Sequence, residues 1–365
     1  MSDRFMSRAL ELAAQKVGST SPNPSVGAVV VRDGEVVGEG NHDGPGTAHA
    51  EVVALAAAGD LARGAEVYVS LEPCSFTGRT GACTGALIEA GVRRVFYAMD
   101  DPDPRTEGQA KAVLIAAGIT VEVGLCGEEA QLLLEPYSHQ RRSGRPFVTA
   151  KFAISLDGKI AATSGDSRWI SSPESRDLAH EMRTRIDAIL VGSETIVVDN
   201  PQLTARPGGQ LAAHQPLRVV LDARGRISPE AAVFGEQGNV LVLTTSGSSQ
   251  AWRDAIAQVA EVAMVAPDRT GEGVDPGGVL LSLNERGVLH LLLEGGGKVH
   301  GSFFDAGLVD KVHVVIAPMI LGGHGRSPVA GSGAERMSDA WTLERVSLKQ
   351  AGPDIIIEGY PRRRD

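Results

Sequence analysis

Residues 47–58 read TAHAEVVALAAA, and residues 72–83 read EPCSFTGRTGAC. The first stretch predicts a helix over residues 48–58, because the threonine that precedes it can cap its free backbone N–H groups. The second stretch follows an apolar run that predicts a strand, and its last cysteine begins another helical segment. Strands that alternate with helices in this way predict a layered α/β fold.

The same alternation extends outward over the first part of the chain, in the order α-β-β-α-β-α-β-α-β. The predicted helices cover residues 3–17, 48–58, 82–90 and 106–117, and the predicted strands cover residues 26–32, 36–40, 65–71, 95–98 and 120–123. A polar, basic segment at residues 137–145, YSHQRRSGR, then predicts a linker or the end of a connecting helix. We therefore expect two domains, residues 1–144 and residues 145–365.

A second α/β series follows this segment, and no internal repeat relates the two halves. Its predicted strands cover residues 147–153, 188–192, 217–222, 240–244, 261–265, 290–293 and 311–317. Its clearest predicted helices cover residues 173–184, 249–258, 276–285 and 298–306. The halves are expected to be different folds of the same α/β class.

Composition narrows the class of protein. Of the 365 residues, 42% are hydrophobic and 22% are charged, which is the range of a globular protein with packed cores. The net charge of −10 argues against a general nucleic-acid binder or a membrane-surface protein. No apolar signal segment or membrane-length apolar run is apparent, so we expect a cytoplasmic protein. Three cysteines in a reducing compartment do not indicate a disulfide framework.

One histidine and two cysteines stand where a metal site needs them. His49 and Glu51 lie in the first turn of a predicted helix, Cys74 follows a strand, and Cys83 begins the next helix. One imidazole and two thiolates leave the fourth tetrahedral position of zinc open for water, which is typical of a catalytic site. Glu51 is two residues from His49, so its carboxylate can reach that water without binding zinc and can act as general base and acid.

Taken alone, each of these residues has a simpler explanation. HAE is common on helices, and a buried free cysteine is usually a small apolar residue. All four in this order, with Glu72-Pro73 before Cys74, favour the metal site over a structural role. Cys126 lies more than forty residues beyond Cys83, and we interpret it as structural.

The H-x-E and P-C motifs resemble the zinc-dependent nucleobase and nucleoside deaminases. The longer loop that ends in GRTGAC, residues 78–83, and PNPSVG, residues 22–27, resemble the deaminase half of the bifunctional deaminase/reductases of riboflavin biosynthesis. This resemblance implies a cytidine-deaminase-like three-layer α/β/α domain, with Asn23 and His42 as substrate contacts. Phe76 stands where that family usually has a histidine.

Several motifs of the second half resemble the reductase half of the same family. They are SLDGKIA at 155–161, SRWI at 167–170, GSET at 192–195, DNPQLTAR at 199–206 and EGGG at 294–297. A glycine-rich turn at a helix start suits a phosphate, but it is not G-x-G-x-x-G, so a Rossmann domain is not predicted. The resemblance implies a dihydrofolate-reductase-like α/β domain that uses NADPH.

The resemblance also assigns roles within this half. It implies cofactor contacts for Ala153, Trp169, Thr195, Asp199, Gly295, Gly296, Gly297, Lys298 and Gly301. It implies substrate contacts for Lys151, Ser167, Arg183, Leu203, Arg206 and Glu294. A guanidinium fork suits a ribose phosphate, which agrees with the two arginines. Taken alone, Trp169 and Arg183 would more simply be core and surface residues.

The sequence therefore predicts an enzyme with two activities. Its first half would hydrolyse an exocyclic amine of 2,5-diamino-6-ribosylamino-4(3H)-pyrimidinone 5′-phosphate with zinc, and its second half would reduce the ribosyl group to ribityl with NADPH. We expect a small-molecule substrate, a homo-oligomer, and no nucleic-acid or membrane partner. One alternative is a deaminase of nucleic-acid bases with an unrelated second domain, and the acidic net charge argues against it. The other is a non-catalytic protein with a structural zinc, and Glu51 together with the open coordination position argues against it.

Overall fold

The structure is a computed structural model that describes residues 2–76, 81–167, 169–235 and 238–363. The chain divides into two compact units, Met1–Arg145 and Pro146–Asp365. Each unit is built around one sheet, and the predicted α/β class is confirmed for both.

The first unit has a five-stranded sheet in the order β2-β1-β3-β4-β5. Its strands are β1 Gly27–Arg32, β2 Glu35–Asn41, β3 Glu66–Val69, β4 Arg94–Tyr97 and β5 Thr120–Val123, and its helices are α1 Ser2–Ala14, α2 Ala50–Ala58, α3 Cys83–Ala90, α4 Gln109–Ala116, α5 Gly127–Leu133 and α6 Glu135–Ser143. β1 is antiparallel to β2 and β3, whereas β3, β4 and β5 are parallel. The carboxyl ends of these parallel strands therefore lie at one edge of the sheet.

Two glycines of β2 hold helix α2 unusually close to the sheet. A Cβ added to Gly38 would lie 2.3 Å from the backbone oxygen of Ala54, and one added to Gly40 would lie 2.5 Å from that of Ala50. Only glycine permits this approach without a backbone shift. The contact fixes the height of α2 above the strand and thereby the position of His49 at the start of the helix.

The basic segment predicted as a linker or helix end is a complete helix, α6. Pro136 lies in the first turn, where a missing N–H costs no hydrogen bond, and Gly144 ends the helix in the left-handed region with a φ of 74°. Tyr137 and Ser138 are buried, so one side of this polar helix packs against its own unit.

The second unit has a nine-stranded sheet in the order β10-β9-β8-β7-β11-β6-β12-β14-β13. Its strands are β6 Phe147–Ser155, β7 Ala188–Gly192, β8 Leu217–Leu221, β9 Val240–Thr244, β10 Glu261–Met264, β11 His290–Leu293, β12 Lys311–Ala317, β13 Trp341–Ala351 and β14 Asp354–Arg363. Its helices are α7 Pro173–Arg183, α8 Ser193–Asp199, α9 Gln250–Ile256, α10 Pro276–Glu285 and α11 Gly297–Asp305. The first seven strands in this order are parallel, and the last two continue the sheet as an antiparallel hairpin.

The hairpin of β13 and β14 has no counterpart among the predicted elements. Most of β13 is exposed, including Leu348, so its pattern does not show the buried face by which a strand is recognised. Its turn is formed at Gly352, which has a φ of 58°. Among the described residues, no helix is long and apolar enough to span a membrane.

Candidate active sites

The predicted metal ligands come from three neighbouring places in the first unit. His49 is the N-cap residue of α2, Cys83 is the first residue of α3, and Cys74 lies in the loop that leaves β3. Nδ1 of His49 lies 3.1 Å from Sγ of Cys83 and 3.6 Å from Sγ of Cys74, and the three ligand atoms all lie within 4.8 Å of one another. A tetrahedral zinc with Zn–N about 2.1 Å and Zn–S about 2.3 Å separates its ligand atoms by about 3.6 Å. The three side chains therefore fit zinc.

The two thiols also show what a cation would have to supply. A hydrogen bond from the Cys83 thiol, followed by one from the His49 ring, lowers the pKa of Cys74 to about 4. The hydrogen bond to Cys74 and burial raise the pKa of Cys83. Without a cation, the site thus favours a single negative charge, carried by the thiolate of Cys74 and stabilised by a hydrogen bond from the thiol of Cys83. A divalent cation would provide the positive charge that allows both to be thiolates.

Glu51 lies in the first turn of α2 and is only 3% exposed. Burial, reinforced by the negative charge of Cys74, raises the pKa of Glu51 to about 7. A carboxyl group whose pKa is near neutrality can both accept and release a proton at physiological pH. This property would suit the general base and acid role of Glu51, which stays a prediction.

The side chains of Asn23 and His42 form a hydrogen-bonded pair beside the three metal-binding residues. Nδ1 of His42 lies 3.1 Å from the backbone oxygen of Ala48, which can only accept, so Nδ1 carries the proton. Burial lowers the pKa of His42, so the ring is neutral and its Nε2 accepts a hydrogen bond from Nδ2 of Asn23 at 2.9 Å. This bond directs the amide of Asn23 and leaves its oxygen as the group that can accept from a ligand.

These residues line a cavity of about 340 Å³. Its wall also includes side chains that the sequence did not single out: Asp101, Asp103, Arg105, Tyr137 and Arg141. Asp101 and Asp103 follow the carboxyl end of β4, next to the end of β3 that leads to the first cysteine. Since neighbouring parallel strands end at one edge, this placement is the signal that could have found them. Part of the predicted GRTGAC loop, residues 77–80, lies outside the described residues.

The second unit brings three predicted substrate residues together. Arg183 ends α7, Glu294 follows β11, and Lys151 lies on β6. Nε and Nη2 of Arg183 donate to Oε1 and Oε2 of Glu294 at 2.9 and 2.8 Å, and Nη1 donates to the backbone oxygen of Thr204 at 2.9 Å. Both side chains of the ion pair are largely buried.

The charges of this cluster affect one another. Burial alone would raise the pKa of Glu294, but the positive charges of Arg183 and Lys151 outweigh it and lower the pKa to about 2. Burial lowers the pKa of Lys151, and the charge of Glu294 opposes that effect. The carboxylate thus compensates the buried charge of Arg183 and favours the charged form of Lys151.

Arg206 is connected to this cluster by hydrogen bonds to His180 and Thr204. Its backbone N–H donates to Nδ1 of His180 at 3.2 Å, and its Nε donates to Oγ1 of Thr204 at 2.9 Å. No spacing in the sequence distinguishes His180 from the other histidines. Its link to Arg206 depends on a turn that periodicity does not predict.

The glycines of the EGGG turn and of α11 have two different surroundings. A Cβ added to Gly296 would meet only Oγ1 of Thr195, at 3.7 Å, so this position faces open space. In contrast, a Cβ added to Gly297 would lie 2.4 Å from the backbone oxygen of Ser327, and one added to Gly301 would lie 1.3 Å from that of Ala330. Gly297 and Gly301 therefore allow α11 to pack against another segment of the same unit.

The remaining predicted residues of the second unit make separate contacts. Oγ of Ser167 lies 3.4 Å from Oδ1 of Asp199, and the exposed Nζ of Lys298 lies 3.6 Å from Oε2 of Glu194. Trp169 is exposed, and the guanidinium group of Arg176 lies over its ring. Leu203 is buried and has a positive φ. Ala153 and Gly295 pack inward. Arg168 of the SRWI motif lies outside the described residues.

Comparison with known proteins covers both units. Residues 1–99 match the family model of the cytidine and deoxycytidylate deaminase zinc-binding region, and residues 146–357 match that of the RibD C-terminal domain. The chain is 40% identical to the riboflavin biosynthesis protein RibD of Bacillus amyloliquefaciens, over 99% of this chain and 97% of that protein. It is 37% identical to the protein of the same name from Escherichia coli, over 97% of each.

Solved structures agree with these matches. Acinetobacter baumannii RibD superposes with a TM-score of 0.86 at 33% identity, over 99% of this chain and 98% of that one. A Thermotoga maritima protein described as a diaminohydroxyphosphoribosylaminopyrimidine deaminase/5-amino-6-(5-phosphoribosylamino)uracil reductase superposes with a TM-score of 0.84 at 34% identity, with the same coverage. The chain therefore belongs to the RibD family of bifunctional riboflavin-biosynthesis enzymes, in which a deaminase domain of the zinc-binding type is joined to a reductase domain.

Proposed function

We propose that residues 1–144 deaminate 2,5-diamino-6-ribosylamino-4(3H)-pyrimidinone 5′-phosphate and that residues 145–365 reduce the ribosyl group of the product to ribityl with NADPH. The observation that carries the first half is the cluster of His49, Cys74 and Cys83 beside a buried Glu51. The name of the Thermotoga maritima relative supports the choice of substrate. A cytoplasmic location and a homo-oligomeric state stay predictions.

In the deaminase half, we assign zinc to His49, Cys74 and Cys83. Zinc in such a site lowers the pKa of a bound water toward neutrality and so supplies the nucleophile. Glu51 would accept one proton from the attacking water and pass it to the ring nitrogen. It would then take the proton of the newly added hydroxyl group and pass it to the leaving amine, which departs as ammonia. Its burial suits this shuttle, because a carboxyl group with a pKa near 7 is ready for either transfer.

Substrate orientation in this half falls to Asn23. Its amide oxygen accepts from an N–H group of the pyrimidine, while its amide nitrogen is held by His42. Because Nδ1 of His42 is hydrogen-bonded to the backbone oxygen of Ala48, the imidazole ring of His42 cannot flip without losing that bond. The Asn23–His42 pair therefore favours a pyrimidine that presents a hydrogen-bond donor to Asn23.

In the reductase half, we assign the substrate to Lys151, Ser167, Arg183, Leu203, Arg206 and Glu294. We assign NADPH to the EGGG turn and its surroundings, namely Ala153, Trp169, Thr195, Asp199, Gly295, Gly296, Gly297, Lys298 and Gly301. NADPH supplies the hydride for C1 of the ribose, and the protein supplies orientation and charge. The open space at Gly296 supports a phosphate at the start of α11, where backbone N–H groups and the helix dipole favour an anion.

The test of the deaminase assignment separates metal binding from proton transfer. Glu51→Gln keeps the shape of the side chain but removes its basicity, so ammonia release should fall about 10²–10⁴-fold while zinc remains stoichiometric. The double variant Cys74→Ser/Cys83→Ser should lose zinc itself, measured by elemental analysis. Near-normal ammonia release by Glu51→Gln, or full zinc in the double variant, would contradict the assignment.

A further inference from the structure

A four-residue segment of the second unit, residues 203–206, has an unusual backbone conformation next to the Arg183–Glu294 pair. Leu203 is buried and has a φ of 57°, in the left-handed region that favours glycine. A branched residue keeps such a conformation only where its surroundings hold it there. The segment ends at Arg206, so the side chains that fix this backbone also determine where that arginine lies.

Gln215 fixes the middle of the segment. Its Oε1 accepts from the backbone N–H of Ala205 at 2.8 Å, and its Nε2 donates to the backbone oxygen of the same residue at 2.9 Å. Its Nε2 also donates to the backbone oxygen of Ala212 at 2.8 Å. Because one amide bonds both backbone groups of the buried Ala205, the segment is anchored up to that residue.

His180 holds the residue that follows. It lies on α7 one turn before Arg183, so both side chains reach the segment from the same face of the helix. Nδ1 of His180 lies 3.2 Å from the backbone nitrogen of Arg206 and 3.2 Å from the backbone oxygen of Thr204. The first group can only donate and the second can only accept, so one ring nitrogen cannot bond both. Since the Thr204 oxygen also accepts from Nη1 of Arg183 at 2.9 Å, both backbone groups are satisfied when Nδ1 accepts from Arg206.

The surroundings of His180 favour this neutral acceptor. Burial and then the positive charge of Arg183 lower the pKa of His180, while the hydrogen bond to Thr204 and the charges of Glu294 and Asp177 oppose that effect. The ring is therefore neutral near pH 7, and its one proton belongs on Nε2. A proton on Nδ1 would instead turn the N–H group of the ring toward the N–H group of the backbone.

The backbone bond also bears on the guanidinium group of Arg206. Nε of Arg206 donates to Oγ1 of Thr204 at 2.9 Å, and its Nη2 donates to Oε1 of Gln202 at 3.0 Å. Both partners belong to the same stretch of chain, so they direct the guanidinium group relative to the segment without fixing the segment itself. His180 connects Arg206 to a helix, and a displaced backbone would carry the positive charge of Arg206 with it.

We propose that His180 is a positioning residue of the reductase half, which as a neutral hydrogen-bond acceptor fixes the backbone of Arg206 and thereby the place of its guanidinium group. His180 acts through Arg206 and does not itself touch the substrate. The inference rests on the proposed function for the role of Arg206 in the reaction. The hydrogen-bond arrangement does not depend on that function, so the two can be tested separately.

The first test is a double-mutant cycle in the full chain, with NADPH oxidation followed at varied 5-amino-6-(5-phosphoribosylamino)uracil. His180→Leu removes the acceptor and should raise the KM about three- to tenfold with kcat and NADPH affinity retained. His180→Asn places an amide oxygen where Nδ1 stands, at a similar helix propensity, and should keep the KM within about twofold of the wild type. In an Arg206→Ala background, His180→Leu should add no further increase, because the group that His180 positions is gone.

His324→Asn is the matched control, because it makes the same replacement at an exposed histidine and should leave the KM unchanged. A purely structural role of His180 predicts a different pattern, in which His180→Leu raises the KM by the same factor with and without Arg206. That result would overturn the proposal. So would an unchanged KM in His180→Leu, or an increase in His180→Asn as large as that in His180→Leu.

The second test does not depend on turnover. Nitrogen NMR of the wild type with labelled histidine rings, at about pH 7.5, distinguishes protonated from unprotonated ring nitrogens, and the signals of His180 are those missing from His180→Asn. Nδ1 should be unprotonated and Nε2 protonated. A proton on Nδ1 would overturn the proposal whatever the enzyme catalyses. If the wild type oxidises no NADPH with this substrate while Nδ1 is unprotonated, the proposed function fails and the hydrogen-bond arrangement stands.

Discussion

Glu294→Gln should destabilise the second unit by removing the charge that compensates the buried guanidinium group of Arg183. In the wild type, Glu294 receives two N–H bonds from Arg183, and the side chains of this pair are only 10% and 15% exposed. The variant has nearly the same shape, but its amide is neutral, and its single carbonyl oxygen can accept only one of the two N–H groups that Arg183 donates to Glu294. An uncompensated buried charge is the expensive outcome when an ion pair is broken, at about 3–5 kcal/mol.

The pKa of Glu294 leads to a similar magnitude. The pKa falls from an ordinary value of 4.5 to about 2, which corresponds to about 3 kcal/mol of folding free energy at neutral pH. Because the folded-state value is the lower one, this contribution is fully present above about pH 4.5. It is lost as the pH falls toward 2, and about 1 kcal/mol should remain at pH 3. The difference between wild type and variant should therefore shrink with acidification.

The assay is urea unfolding followed by tryptophan fluorescence. All three tryptophans, Trp169, Trp252 and Trp341, belong to the second unit, so the signal reports on that unit alone. Glu344→Gln is the matched control, because its ion pair with Arg362 is half exposed on both sides and such pairs contribute about 1 kcal/mol or less. A loss below about 1 kcal/mol at pH 7, or a loss that does not decrease between pH 5 and pH 3, would refute the reasoning.

Three further predictions concern the assigned sites and domains. Gly296→Val should weaken NADPH binding in a fluorescence titration, because the valine side chain would fill the open space beside Thr195. Arg206→Ala should leave that titration unchanged and raise the KM of the reductase for its substrate about ten- to a hundredfold. The reverse pattern would exchange the two phosphate assignments. Gly301→Ala should lower the melting temperature of the second unit by several degrees even without cofactor, because the added Cβ would overlap the backbone carbonyl of Ala330. An unchanged melting curve would contradict the packing role of Gly301. Residues 1–144 and residues 145–365, expressed separately, should each give a soluble fragment, and the first should still release ammonia. Aggregation of both fragments would show that the two units need each other to fold.

The sequence predicted most of the parallel strands and the metal cluster because both depend on local signals. Apolar runs bounded by turn residues identify buried parallel strands, and ligand residues at helix starts identify a metal site. The hairpin of β13 and β14 lacked such a signal, since its strands bury few residues. Helix α6 was obscured by its polar, basic composition, although Pro136 in its first turn and Gly144 at its end are typical of helix termini.

The cavity wall shows a second limit of sequence reasoning. Arg105 and Arg141 are 36 positions apart and meet only because α6 returns to the edge of the sheet where β4 ends. No spacing rule connects them, and an arginine in a basic segment is usually a solvated one. Gly297 and Gly301 illustrate the opposite case: a recognisable glycine motif was read for phosphate contact, while the structure also gives those two glycines a packing neighbour.

The spacing of the proposed zinc ligands has a consequence for how the loop between them can change over time. Cys74 and Cys83 are separated by eight residues, compared with two in the shorter P-C-x-x-C form. Closing a chelate ring of this size instead of the shorter one costs only about 1 kcal/mol of chain entropy. A structural or catalytic zinc returns on the order of ten times that amount. A zinc ion bound by both cysteines would anchor the two ends of this loop. Insertions between the cysteines would then change the folding free energy little, and the enclosed segment could vary with the substrate.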